Sequence, residues 1–114
     1  MPLVECVTFE YPPMNATETD DNFVIAKNKA IIDSYKNKDG HCRIGAAILE
    51  PVQAEGGDRH CSARFVHKMH DLFKQNRIIF IIDEVQSGMA VSGKLWAYET
   101  MVYENNMLQP DIIT

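Results

Sequence analysis

Ile78-Ile79-Phe80-Ile81-Ile82-Asp83-Glu84-Val85-Gln86 is the stretch on which the fold turns. Its unbroken apolar run, rich in β-branched side chains, is the pattern of a strand buried on both faces of a sheet. The run stops abruptly at an acid. A second run of the same kind, Ile44-Gly45-Ala46-Ala47-Ile48-Leu49, lies upstream and stops at Glu50-Pro51. Between them, Phe65, Met69, Leu72 and Phe73 form one apolar stripe on a helix expected from Ser62 to about Gln75, with Ser62 as its N-cap. Strand, loop, helix and strand in this order make a right-handed βαβ unit with a parallel sheet, which needs cover on both faces.

Working outward, a helix is expected over about 21–37, where Phe23, Ala26 and Ala30 form one stripe and Val24, Ile31 and Tyr35 an adjoining one. Asp20 or Asp21 can cap its start, and Lys38-Asp39-Gly40 ends it. Residues 1–20, with Tyr11-Pro12-Pro13, read as a connecting segment and 21–114 as the folded unit. Beyond Gln86 a loop rich in Ser and Gly leads to a short helix over about 95–103. Strands are expected over about 44–49, 78–83 and 111–114. The fold class is α/β, a mainly parallel sheet flanked by helices.

The totals restrict function. A chain of 114 residues that is 46% hydrophobic can fold as one globular unit. A formal net charge of -5 with scattered Lys and Arg speaks against nucleic-acid or anionic-membrane surfaces. Cys6, Cys42 and Cys61 are irregularly spaced and fit reduced thiols in an intracellular compartment. The first residues show neither a signal nor a transit pattern, and the sequon Asn15-Ala16-Thr17 reads as a chance match in a polar loop.

Ligands of open α/β sheets sit beyond the carboxyl ends of the strands, so Glu50, Glu55, Asp83, Val85 and Gln86 are expected to share one crevice. A carboxylate at a buried strand end is costly unless a cation offsets it, so Asp83 is expected to face a positive group. Two rival patterns are weaker. Phe80 to Glu84 resembles a Walker B strand and Gly88 to Leu95 nearly matches a phosphate-binding loop, but Leu95 stands where Ser or Thr is required. His60, Cys61, His67 and His70 invite a metal reading but lack a ligand spacing that would support it.

The motifs Glu50-Pro51-Val52-Gln53-Ala54-Glu55-Gly56-Gly57-Asp58, Asp83-Glu84-Val85-Gln86-Ser87-Gly88, Gly93-Lys94-Leu95-Trp96-Ala97 and Asp111-Ile112-Ile113-Thr114 together resemble class III pyridoxal-phosphate aminotransferases, nearest to those acting on 4-aminobutyrate. The resemblance is good from Ile44 to Thr114 and loose before it. It implies an internal piece of the large domain of a fold-type I enzyme. Asp83 would partner the pyridine nitrogen of pyridoxal 5'-phosphate, Val85 would pack on the ring face and Gln86 would hydrogen-bond the phenolic oxygen. Glu55 would pair with an arginine elsewhere in the enzyme that is released when an α-carboxylate binds, and Glu50 would support the same loop. Glu84, pointing to the other side of the strand, would be structural.

The same resemblance puts the Schiff-base lysine shortly beyond Thr114, so the chain alone is expected not to transaminate. It also implies small amino and keto acids as partners, a homodimeric parent, and a mitochondrial matrix location in animals or a cytoplasmic one in bacteria. Met89-Ala90-Val91 stands where relatives tend to be glycine-rich, which bears on the conformation of that loop. A non-catalytic fragment or interaction module derived from the enzyme is the alternative of a different class.

Overall fold

The computed structural model describes residues 5–114; the first four residues of the expected connecting segment lie outside the described residues. A helix α1 (Glu18–Ser34) precedes strand β1 (Ala46–Leu49), a two-stranded hairpin of β2 (Val52–Gln53) and β3 (Arg59–His60), helix α2 (Ala63–Gln75) and strand β4 (Ile79–Ile82). A single 3-10 turn (Ala97–Thr100), a second hairpin of β5 (Val102–Tyr103) and β6 (Asn106–Met107), and strand β7 (Ile112–Ile113) complete the described chain.

The main sheet is parallel with the order β1-β4-β7. Central β4 alternates its amides between its neighbours. Asp83 N–H donates to Leu49 O at 2.9 Å toward β1, and Glu84 N–H donates to Thr114 O at 3.0 Å beyond β7. One face of the sheet carries Ala47, Phe80 and Ile82, which pack with Phe65, Val66, Met69 and Phe73 of α2 and Val24 and Ile32 of α1 into one core. Phe80 and Phe73 meet with ring centroids 5.4 Å apart, and Phe9 closes on Phe73 at 5.4 Å.

The other face corrects an expectation. Ile48 is 63% exposed and Ile79 48%, so these strands are covered on one side only among the described residues. An apolar run records the burial a strand is built for, and here the described helices lie on the covered face, leaving the second layer to come from elsewhere.

Helix α1 also departs from its expected stripe. Its buried residues are Asp21, Val24, Asn28 and Ile32, whereas Phe23, Ala26 and Ala30 face outward. Two polar residues on the inner face obscured the period. Asp21 accepts the Ser62 hydroxyl at 2.6 Å, and Asn28 exchanges two hydrogen bonds with the backbone of Glu10. The helix begins at Glu18 rather than Asp21 because Thr17 caps it, its hydroxyl accepting from Asp20 N–H while Asp20 answers onto Thr17 N–H at 2.8 Å. Residues 18–20 thus belong to the helix, not to the connecting segment. It ends at Ser34, short of 37, where Tyr35 leaves the helical conformation. Helix α2 starts after its N-cap Ser62, whose hydroxyl accepts from Phe65 N–H at 2.9 Å.

The helix expected over 95–103 is replaced by four residues of 3-10 turn and a hairpin. Glu104 and Asn105 take φ of 49° and 61°, which gives the two-residue turn between β5 and β6 the hand that tight hairpins favour. Val102 and Tyr103, β-branched and aromatic, suit the strand better than a helix. The hairpin docks on α2, where His67 Nε2 donates to Met101 O at 2.8 Å.

Candidate functional site

The carboxyl ends of β1 and β4 lie side by side, paired in register at Leu49 and Ile82, so the residues that follow each strand emerge together. A cavity of about 180 Å³ opens there, lined by Glu50, Val52, Glu55, Asp83, Val85, Gln86 and Ser87. Glu50 arrives directly from β1. Glu55 sits at the tip of the β2–β3 hairpin, held by the pairing of Val52 with His60 and Gln53 with Arg59, with Gly57 at φ 102° making the turn possible. The segment 54–58 is thus the end of a hairpin that carries Glu55 over the crevice.

Asp83 is fixed by its backbone amide on β1 and by one side-chain bond, Val85 N–H onto Oδ1 at 3.0 Å. Its second carboxylate oxygen takes no hydrogen bond among the described residues. Val85 is 78% exposed and Gln86 is exposed. The crevice thus presents an acid with free lone pairs, an uncovered apolar surface and an amide on one strand end. A flat aromatic ring bearing a protonated nitrogen and a phenolic oxygen fits that donor set. The lining holds three carboxylates and no Lys, Arg or His, so compensating positive charge must come from outside it.

Glu84 lies on the opposite side of the strand, 2% exposed, with its carboxylate receiving Ser87 Oγ at 2.6 Å, Tyr98 N–H at 2.7 Å and Ala97 N–H at 3.1 Å. Period-two alternation sends Asp83 and Glu84 to different sides, but no local sequence signal tells that Glu84 meets amides thirteen and fourteen residues on. Val52 and Ser87 of the lining were likewise given no role, although both lie within the quoted motifs.

The rival patterns find no support in the geometry. The 88–95 segment follows a turn closed by Gly88 N–H on Glu84 O at 2.8 Å and not a strand, so it does not form a phosphate-binding loop. Among the described residues no group of three or more His, Cys, Asp or Glu could hold a metal ion. His67 is committed to Met101 O, and His70 stacks on Phe80 with centroids 5.5 Å apart, where burial lowers its pKa. Burial beside Tyr11 pushes the Cys61 thiol up to about 11, far from a ready thiolate. No described helix is long and apolar enough to cross a membrane.

Comparison with known proteins is consistent along the chain. The family model described as "Aminotransferase class-III" matches residues 2–114. A 4-aminobutyrate aminotransferase of Schizosaccharomyces pombe is 45% identical over 74 residues, 65% of this chain and 15% of that protein. An L-lysine-epsilon aminotransferase of Streptomyces clavuligerus is 34% identical over 112 residues, 98% of this chain and 23% of that protein. Among solved structures, a lysine aminotransferase from M. tuberculosis in its internal aldimine form superposes with a TM-score of 0.70 at 27% identity, covering 92% of this chain and 22% of that one. The chain therefore spans under a quarter of the length of these relatives.

Proposed function

Because the chain belongs to the class III aminotransferases, a pyridoxal-phosphate-dependent family, we propose that it is the ring-binding segment of a larger enzyme that moves an ω-amino group from 4-aminobutyrate to 2-oxoglutarate. The observation that carries this reading is the crevice itself, where Glu50, Glu55 and Asp83 converge without a cation. Bound there, pyridoxal phosphate would supply an electron sink for the carbon that gains and loses the amino group. Asp83 keeps the ring nitrogen protonated by offering a carboxylate against it, Val85 supports the ring face, and Gln86 donates to the phenolic oxygen. Glu55, on a hairpin tip, holds an arginine of the parent until an α-carboxylate replaces it.

The donor has a second candidate. The Streptomyces relative, named for lysine, aligns with nearly the whole chain, and lysine also offers an ω-amino group. The chain spans under a quarter of these relatives, so turnover is assigned to the longer protein, expected to be a homodimer. In that full-length parent, Asp83→Ala is expected to abolish transamination, while kcat/KM for 4-aminobutyrate exceeds that for L-lysine. Near-normal turnover in the variant would sink the assignment of Asp83, and a preference for L-lysine would replace the donor.

A further inference from the structure

We propose that Glu84 is a positioning residue for the crevice, a buried acceptor whose carboxylate fixes the direction in which Val85 and Gln86 leave β4. The proposal rests on the reading of that crevice as the cofactor-ring site. A carboxylate only 2% exposed would ordinarily be matched by a basic group, yet the partners here are two backbone amides and one hydroxyl. Its oxygens are thus committed to a geometric task and not to an ion pair.

The task follows from what the donors belong to. Ala97 and Tyr98 stand at the far end of the loop that begins with Val85, and Ser87 stands near its beginning. Glu84 therefore closes the loop at its base. Its own carbonyl accepts Gly88 N–H at 2.8 Å, and a side chain at Gly88 would meet that carbonyl at 2.9 Å and the Trp96 ring at 2.9 Å. Its amide donates to Thr114 O at 3.0 Å, so the same residue ties the end of β7 to the end of β4. Asp83 and Val85, its neighbours on either side, line the crevice. Anchoring the residue between them from behind leaves these two little freedom to turn.

The pattern of donors makes an isosteric substitution informative. Oε1 takes Tyr98 N–H, while Oε2 takes Ala97 N–H and the Ser87 hydroxyl. In Glu84→Gln, an amide nitrogen in the Oε1 position leaves Tyr98 N–H without its acceptor, and in the Oε2 position it leaves Ala97 N–H without one and forces the Ser87 hydroxyl to turn and accept. Shape and volume are preserved, so the loop base loosens without a cavity.

The test is made in the full-length parent, reconstituted with pyridoxal phosphate. Glu84→Gln is expected to weaken cofactor affinity about tenfold and to shift the absorbance band of the bound cofactor. Glu84→Asp, which keeps both oxygens one methylene short, is expected to fall between it and the wild type. A purely structural Glu84 would lower thermal stability and leave cofactor affinity and spectrum as in the wild type, and that result overturns the proposal. If Glu84→Gln yields no folded protein, Glu84→Asp carries the test. A roughly threefold loss of affinity is expected, and unchanged affinity contradicts the proposal. A wild-type parent that binds no pyridoxal phosphate would instead sink the reading of the crevice.

Discussion

Asn28 is fully buried on the inner face of α1, where its Nδ2 donates to Glu10 O at 2.8 Å and its Oδ1 accepts from Glu10 N–H at 2.7 Å. One side-chain amide thus does for Glu10 what a neighbouring strand would do, and it holds the segment that brings Phe9 and Tyr11 onto Phe73 and Phe65. Asn28→Ala leaves both backbone groups of Glu10 unpaired. It should lower the stability of the full-length protein by about 1–3 kcal/mol, read as an earlier denaturant midpoint at constant slope. A midpoint equal to that of the wild type would show that water satisfies Glu10 as well. The sequence could not disclose this pairing. An Asn within a helical stretch counts against burial, and only tertiary geometry shows that its partner lies eighteen residues back. Asp83 and its neighbours were more legible, because a strand ending in an acid has few places to put it.

Among the elements, the two runs around Ile48 and Phe80 and the stripe of α2 were readable, since continuous apolar runs and a clean helical period each admit one main interpretation. Elements that depend on left-handed residues were not. Within the loop after Gln86, Met89 and Ala90 adopt φ of 58° and 68°, the region that favours glycine. Each side chain there costs about 1–2 kcal/mol against its ordinary conformation. Both residues are exposed, so the cost is not recovered by burial. Ala90→Gly should therefore stabilise the full-length protein by about 1 kcal/mol, seen as a later denaturant midpoint. A loss of stability would mean that the loop takes another conformation in the complete protein. The hairpin at Glu104 and Asn105 was missed for the same reason, because neither residue announces a positive φ as Asn-Gly would.

At the scale of the whole molecule, the sheet has one packed face and one face on which Ile48, Ile79 and Ile112 remain exposed, with β1 and β7 as open edges among the described residues. Unpaired edges beside apolar surface recruit other chains. The 114-residue chain expressed alone should self-associate and unfold without a sharp two-state transition, as judged by sedimentation and denaturant titration. A monomer with one cooperative transition would contradict this. The parallel α/β class was legible because strand, helix and strand follow in order. The missing second layer was not, because apolar runs tell that a face is covered and not by what. At the end of β4, Asp83 is proposed to act by keeping a bound ring nitrogen positively charged. The direct measurement is transamination by the full-length Asp83→Ala variant reconstituted with pyridoxal phosphate methylated on its ring nitrogen, a form that is positive without a carboxylate partner. The methylated cofactor is expected to restore turnover well above that of the same variant with ordinary pyridoxal phosphate; equal residual turnover with both, despite comparable binding, would rule out this role for Asp83.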